Sequence, residues 1–162
     1  MSSDIPYGKQ YIGDADIKAV VEVLKGDYLT TGPKIYEFEK KFAEYVGSRY
    51  AVAVSSGTAA LHLACLAAGF KAGDEVITTP MSFAATANSI LYVQATPVFT
   101  DIDPKTANID PEQIKIKIDD RSRGIIPVHY TGHPCDMEKI NDIAQKHNLL
   151  VIEDACHALG AV

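Results

Sequence analysis

Two adjacent carboxylates, Glu153 and Asp154, end the apolar run from Leu149 to Ile152, and His157 follows three residues later. A carboxylate at the end of a buried strand costs desolvation free energy unless it is paired or hydrogen-bonded. In strand geometry the two acids point to opposite faces, so one can face a ligand while the other meets a helix, an arginine or solvent. We assign the ligand side to Asp154, where a cationic ligand nitrogen is a suitable partner. Glu153 is expected to be an N-cap or part of a structural ion pair.

A second candidate is the segment "VSSGTAAL", where a strand runs into Ser56, Gly57 and Thr58 and then directly into a helix. The first N–H groups of a helix lack intrahelical acceptors, and the helix dipole adds partial positive charge there. These features suit a phosphate. Taken alone, the motif favours an ordinary Ser/Thr N-cap, because Ser-Gly-Thr is a common sequence. The segment lacks the lysine of a P-loop and is not the glycine-rich dinucleotide motif.

Phe83 opens a helix just after the strand-ending Pro80, and an aromatic ring at such a place can cover a planar ligand. A core phenylalanine is the alternative interpretation. The segment "VHYTGHPCDM" offers His129 and His133 as general bases or metal ligands. Because no third ligand stands at a recognised spacing, we favour a packed histidine in a polar loop and predict no metal site.

Helical and strand patterns alternate along the chain, which predicts βαβ units and a mostly parallel sheet with helices on both faces. A first helix is predicted from an N-cap at Asp14 to Gly26, and a second from Pro33 to Gly47. The remaining predicted strands are "YAVAVS", "DEVITTP", "TPVFTDI", "RGIIPVHY" and "LLVIED", and the remaining helices are "SGTAALHLACLAAG", "FAATANSILYV", "PEQIKIKI" and "DMEKINDIAQKHN". Residues 1–13 are expected to form an irregular arm, and residues 14–162 the folded domain. Ligands of such sheets bind beyond the carboxyl ends of the strands, which is where the candidates above fall.

The bulk composition limits the function classes. A net charge of −6 argues against general binding of nucleic acid, which needs a basic face. The sequence shows neither a signal peptide nor a membrane-spanning run, so we expect a cytoplasmic protein without membrane partners. The three cysteines are too few and too widely spaced for a disulfide framework or a zinc site, and are expected to be reduced, packed thiols.

Taken together, several segments resemble the DegT/DnrJ/EryC1/StrS family of pyridoxal-phosphate-dependent sugar aminotransferases. The likeness is carried by "YLTTGPKIYEFEKKFAEYVGSRYAVAVSSGTAALHLA", "GDEVITTPMSFAATANSILY", "PVFTDIDP", "IIPVHYTGHPCDM" and "LLVIEDACHALGA". The resemblance implies that residues 14–162 are the N-terminal part of a fold type I pyridoxal-phosphate-binding large domain. It also implies a homodimer.

The resemblance gives the candidate residues one shared ligand. The phosphate of pyridoxal 5'-phosphate would sit on Ser56, Gly57 and Thr58, and Phe83 would stack on its ring. Asp154 would accept a hydrogen bond from the protonated ring nitrogen, which keeps the ring an electron sink. His157 would reach the ring hydroxyl. The residues matching positions where relatives touch the nucleotide sugar are Tyr7, Asp27, Tyr28, Leu29 and Thr30.

The reaction implied is a transamination in two halves, with glutamate as amino donor and a nucleotide-linked 4-keto-6-deoxy sugar as acceptor. The versions "PMSFAATANSILY" and "DACHALGA" most resemble the branch of pseudaminic acid biosynthesis. That branch aminates UDP-4-keto-6-deoxy-N-acetyl-altrosamine.

The family's Schiff-base lysine, in a context like Ser-Phe-His-x-x-Lys, matches none of the 162 residues. Because that lysine follows the "DACHALGA" segment in the family, we expect the chain to be an N-terminal portion without the C-terminal domain, and inactive alone. Two alternatives stay open: a sugar 3-dehydratase with histidine in place of the lysine, and a non-catalytic regulatory or partner-binding relic of the fold. A nicotinamide-dependent oxidoreductase is disfavoured, since no glycine fingerprint follows a strand.

Overall fold

The computed structural model describes residues 10–161, and the chain divides into two compact units, one ending at Ala53 and the other beginning at Val54. The first unit contains α1 (Asp14–Leu24) and α2 (Pro33–Val46). Gly13, not the predicted Asp14, precedes α1 as its N-cap residue, and its N–H donates to the side chain of Asp16 at 2.8 Å. The predicted start was therefore wrong by one residue, because the acid that caps this helix reaches back from inside it.

The second helix begins and ends as its sequence predicts. Pro33 lies in the first turn, and Gly47 ends the helix with a φ of 69°, a left-handed conformation that glycine adopts without a steric penalty. The apolar stripes of both helices remain largely exposed: Ile17, Val20 and Phe38 are each more than half exposed. The apolar periodicity thus predicted both helices correctly, but it did not predict that their apolar stripes remain exposed.

The second unit is built on a four-stranded sheet that is parallel throughout, with the order β2-β1-β3-β4. The strands are β1 (Glu75–Thr78), β2 (Thr96–Phe99), β3 (Ser122–Ile126) and β4 (Leu150–Val151). The helices of this unit are α3 (Gly57–Ala67), α4 (Ala85–Tyr92), α5 (Pro111–Lys117) and α6 (Met137–His147). None of the helices within residues 10–161 is long and apolar enough to cross a membrane.

Alternate residues of the central strands serve two separate cores. Val76 and Ile126 pack in one apolar cluster with residues of α3 and α4, whereas Ile77 and Ile125 pack in the other with residues of α5 and α6. This alternation is the expected consequence of strand geometry. The predicted α/β class, with helices on both faces of a parallel sheet, is confirmed.

One predicted strand is wrong. The run "YAVAVS" forms no ladder with any part of residues 10–161, and Val52 is 77% exposed. The Ala53 N–H donates instead to a carboxylate oxygen of Glu39 at 2.8 Å. A strand exists only through its neighbours, so an apolar β-rich composition is insufficient where no partner strand lies alongside.

The connections at the carboxyl edge of the sheet define a crevice. From β1 the chain crosses through α4 to β2 on one side, and from β3 it crosses through α6 to β4 on the other side. The connections therefore diverge between β1 and β3, and this divergence is where open α/β sheets place their ligands.

Candidate active site

Asp154 lies at the carboxyl edge of the sheet and is buried. Its N–H donates to the carbonyl oxygen of Pro127 at 2.9 Å, and its own carbonyl accepts the N–H of His129 at 3.1 Å. These bonds continue the β3–β4 pairing past the end of both strands. The backbone of Asp154 is thereby fixed beside the crevice.

The carboxylate of Asp154 is held by neutral groups. Its Oδ2 accepts the Thr86 hydroxyl at 2.7 Å, and its Oδ1 accepts the Cys156 N–H at a long 3.4 Å. No basic side chain of residues 10–161 forms an ion pair with it. A buried carboxylate with only neutral donors is an unusual arrangement, because an unpaired charge in the interior is expensive.

The neighbouring acid, Glu153, is exposed and has a structural partner. Its Oε2 lies 2.9 Å from Nε2 of the buried His129. Nδ1 of His129 accepts the Cys135 N–H at 3.0 Å, so the proton of the neutral ring is assigned to Nε2, which donates to Glu153. Glu153 therefore has a structural partner, but the contact is a hydrogen bond from a neutral ring and not the predicted ion pair or N-cap. The packed His129 is confirmed, and His133 is exposed.

The start of α3 has the features of an anion site. Ser56 accepts the Ala59 N–H with its hydroxyl and the Ala60 N–H with its carbonyl, so its own hydroxyl proton is available to a ligand. Gly57 begins the helix, and a Cβ there would lie 2.7 Å from Sγ of Cys156. Thr58 is half-buried beside it. The Gly57–Cys156 contact brings this helix start to the loop that follows Asp154.

Phe83 and His157 are both exposed. Phe83 is 79% exposed, which rules out the core interpretation, and its carbonyl accepts the N–H of Thr86. The carbonyl of His157 lies close to Gly132, where a Cβ would approach it to 2.8 Å and where φ is +98°. The His157 side chain is therefore presented from a loop whose backbone is packed tightly.

The structure thus brings together Ser56, Gly57, Thr58, Phe83, Asp154 and His157 around one edge of the second unit. Asp27, Tyr28, Leu29 and Thr30 lie in the first unit, on the connection between α1 and α2, where most of them line a cleft with the ends of both helices. Tyr7 lies outside the described residues.

Comparison with known proteins identifies the relatives of this site. Residues 10–162 match the DegT/DnrJ/EryC1/StrS aminotransferase family over nearly the whole chain. The chain belongs to this family. Its fold is that of solved aminotransferases: it superposes on the enzyme from Psychrobacter cryohalolentis with a TM-score of 0.92 at 43% identity, covering 97% of this chain and 40% of that one.

Two further structures of relatives carry ligands. Bacillus subtilis NtdA, solved with bound pyridoxamine phosphate, matches with a TM-score of 0.86 at 42% identity over 89% of this chain and 33% of that chain. DesI, solved in the presence of its TDP-sugar product, matches with a TM-score of 0.81 at 39% identity over 89% of this chain and 36% of that chain.

Curated relatives of the family are also much longer than the matched region. The spore coat polysaccharide biosynthesis protein SpsC of Bacillus subtilis is 49% identical over 96% of this chain. An uncharacterized Methanocaldococcus jannaschii protein, MJ1066, is 50% identical over 98% of it. The chain spans about two fifths of the length of these relatives, 40% and 41% respectively.

Sequence reasoning missed the hydroxyls that hold Asp154. Thr86 is buried, and its hydroxyl oxygen lies 2.6 Å from that of Ser82. The available signal was the spacing of two hydroxyl residues four apart at the entry of α4, which places them on one side. Without the fold, nothing linked that pair to an acid 68 residues later.

The cysteine prediction holds for two thiols of the three. Cys65 and Cys135 are buried, as expected. Cys156 is exposed, so the prediction of a packed thiol was wrong at this position. Its thiol nevertheless lies against Gly57. Partial burial, followed by the nearby Asp154 carboxylate, raises the pKa of Cys156 to about 11.

Proposed function

We propose that this chain carries the cofactor-binding part of a pyridoxal-phosphate-dependent aminotransferase. The acceptor proposed is a nucleotide-linked 4-keto-6-deoxy sugar, and the donor is glutamate. Family membership and the ligand-carrying relatives support this proposal. The finer substrate assignment, UDP-4-keto-6-deoxy-N-acetyl-altrosamine in pseudaminic acid biosynthesis, rests on the resemblance of the sequence motifs alone.

The observation that carries the proposal is the environment of the Asp154 carboxylate, namely its burial and its hydrogen-bond partners. Its carboxylate is buried and held by the hydroxyl of Thr86, yet it has no cationic partner among residues 10–161. A protonated pyridine nitrogen is the complementary partner, because a close opposite charge favours the charged form of both groups. When bound, pyridoxal phosphate supplies an electron sink for the substrate carbon.

The other residues of the edge suit the remaining parts of the cofactor. The Ser56 hydroxyl and the first N–H groups of α3 would bind the phosphate, and the absence of a side chain at Gly57 leaves room for the Cys156 thiol beside the helix start. The exposed ring of Phe83 would cover one face of the pyridine. His157 would exchange a hydrogen bond with the ring hydroxyl. Tyr7 and residues 27–30 are proposed to contact the nucleotide sugar.

Catalysis also needs a lysine that shuttles the proton between substrate and cofactor. The two lysines of α6 are poor candidates: Lys139 pairs with Asp136 at 2.7 Å, and Lys146 is exposed. We propose that this lysine, and the second domain, correspond to the part of the relatives that the chain does not match. Homodimer formation is proposed by resemblance.

The test is a turnover assay with two proteins: the 162-residue chain and the product of its reading frame read onward. With pyridoxal phosphate, glutamate and the UDP-keto sugar, the longer protein should yield the amino sugar and 2-oxoglutarate, measured by mass spectrometry. Asp154→Ala should remove this activity, whereas Glu153→Gln, a matched change in the adjacent acid, should retain most of it. The chain alone should give no turnover.

Three results would contradict the proposal. An Asp154→Ala enzyme with wild-type turnover would remove the role given to that carboxylate. Dehydration without amination would favour the 3-dehydratase. A stop codon immediately after Val162, together with no binding of pyridoxamine phosphate, would favour the non-catalytic relic.

A further inference from the structure

Three side chains at the carboxyl edge of the sheet form a continuous line of hydrogen bonds. The hydroxyl oxygens of Ser82 and Thr86 are 2.6 Å apart, and the Thr86 hydroxyl lies 2.7 Å from Oδ2 of Asp154. Thr86 is 1% exposed and Asp154 is 7% exposed. The line therefore runs from the half-buried mouth of the crevice at Ser82 into the interior.

Counting protons fixes the direction of this line. An ionised carboxylate only accepts, so the single hydroxyl proton of Thr86 must point to Asp154. Thr86 then has only its oxygen to offer Ser82, which must donate its own proton to Thr86. Ser82 therefore orients the acceptor lone pairs of Thr86, and Thr86 orients one oxygen of Asp154.

The Thr86 side chain is well suited to a fixed position. A β-branched residue in a helix has few allowed χ1 rotamers. The Thr86 carbonyl also accepts the hydroxyl of Ser89 at 2.7 Å, and its N–H donates to the carbonyl of Phe83. The first turns of α4 thus hold the residue at both backbone groups.

The two oxygens of Asp154 are consequently unequal. Oδ2 has a short bond from a buried hydroxyl, whereas Oδ1 has only the 3.4 Å contact from the Cys156 N–H. A short, well-placed donor to one oxygen restricts rotation of the carboxylate and leaves the other oxygen available to a stronger donor.

We propose that Thr86, oriented by Ser82, is a positioning residue that holds the Asp154 carboxylate so that one oxygen meets the protonated ring nitrogen of the cofactor. This inference rests on the proposed function. Thr86 does not touch the reacting atoms. It acts through Asp154, so its loss changes the state of the ring nitrogen rather than the binding of the phosphate.

The test uses pyridoxamine 5'-phosphate labelled with ¹⁵N in the ring, because this form of the cofactor needs no lysine. The 162-residue chain and its variants Thr86→Val, Thr86→Ser, Ser82→Ala and Asp154→Asn are compared. Thr78→Val is the matched control: it removes another buried threonine hydroxyl, one that donates to the Ile126 carbonyl and forms no hydrogen bond with Thr86 or Asp154. The measurements are the ¹⁵N shift of the bound ring, the Kd, and the melting temperature of the ligand-free chain.

The wild-type chain should bind with a protonated ring nitrogen, and Asp154→Asn should lose that signal. Thr86→Val should shift the ¹⁵N signal towards the neutral pyridine and weaken binding by roughly tenfold or more, the effect of losing a hydrogen bond to a charged group. Thr86→Ser should restore most of the wild-type signal. Ser82→Ala should have a smaller effect, on the order of two- to threefold. Thr78→Val should lower the melting temperature without moving the ¹⁵N shift.

If Asp154→Asn moves the ring signal but the ¹⁵N shift and the Kd of Thr86→Val match those of Thr78→Val, the positioning role is overturned while the proposed function stands. If the wild-type chain and its longer product both fail to bind, the proposed function falls and this inference with it. If Thr86→Val fails to fold, the Thr86→Ser and Ser82→Ala variants test the positioning role instead. Wild-type ¹⁵N shifts and affinities in both would overturn the proposal, and a shift in Ser82→Ala that Thr86→Ser lacks would support it.

Discussion

Both ends of the sheet contain buried acids, but the acids at the two ends have different hydrogen-bond and ion-pair partners. At the amino end, Glu75 begins β1 and Asp74 directly precedes it, and both are buried. Glu75 pairs with Arg121 at 2.6 Å, and Asp74 lies 3.6 Å from Arg123. At the carboxyl end, Asp154 is equally buried and has a hydroxyl and a backbone N–H but no basic side chain among residues 10–161.

We propose that this difference separates structural acids from a ligand-binding one. An acid whose charge is already paired within the fold gains little further electrostatic stabilisation from a cationic ligand. An acid that is buried, oriented and without a cation is stabilised further when a cationic group arrives. Sequence position alone would not distinguish them, since all three acids adjoin apolar β-strands.

The largest expected effect follows from neutralising each end in turn. Asp154→Asn should weaken binding of pyridoxamine phosphate by about a hundredfold or more, as expected when one partner of a buried charge pair is lost. Asp74→Asn, the matched change at the amino end, should leave the affinity within about twofold, because Asp74 is paired within the fold. Calorimetric titration measures both. Equal losses of affinity would show that the two ends do not differ in the way their charges indicate.

Cys156 reports the unpaired charge of Asp154 directly. Partial burial and then the Asp154 carboxylate raise its pKa to about 11, so at pH about 8 its thiolate fraction should be roughly a hundredfold below that of an ordinary thiol. Alkylation by iodoacetamide should therefore be slow and should accelerate with pH towards about 11. Asp154→Asn should speed it. Peptide mapping by mass spectrometry assigns the site, with Cys156→Ser as the control. Unchanged reactivity in Asp154→Asn would mean that the carboxylate does not act on this thiol.

The fold was largely predictable because local sequence patterns indicate most of its strands and helices. The helix over residues 111–117 is instructive: Ile114, Ile116 and Ile118 alternate like a strand, yet Asp110 caps a helix in which Ile114 is buried and Ile116 is exposed. The cap and the proline in the first turn outweighed the alternation. By contrast, "YAVAVS" has strand composition without a strand partner in the described chain.

The site was predictable only in part, for a related reason. Motif and resemblance selected Asp154 and the Ser56–Thr58 turn, since each is a local pattern at a strand end. The hydroxyl of Thr86 and the imidazole of His129 act through contacts between residues far apart in sequence. Such contacts depend on strand order and register, which a single sequence does not specify.

His129 tests whether the second acid of the carboxyl end is structural. Replacing it by Ala leaves the Cys135 N–H without its acceptor and Glu153 without its donor, and should lower the free energy of unfolding by about 2–3 kcal/mol. His133→Ala, an exposed histidine four residues later, should cost less than about 0.5 kcal/mol. Urea denaturation compares them. A His129→Ala chain as stable as His133→Ala would remove the structural assignment of the Glu153 pair.

The smallest effect is expected for the best-formed ion pair of the amino end. Glu75→Gln should lower the free energy of unfolding by only about 1 kcal/mol, because Arg121 is 65% exposed and solvent screens the pair. The loss should shrink in about 1 M salt, and a double-mutant cycle with Arg121→Gln isolates the pairwise contribution. The affinity for pyridoxamine phosphate should not change. If it did, the charge of Glu75 would be acting on the ligand along the length of β1, and pairing within the fold would not be what separates a structural acid from a ligand-binding one.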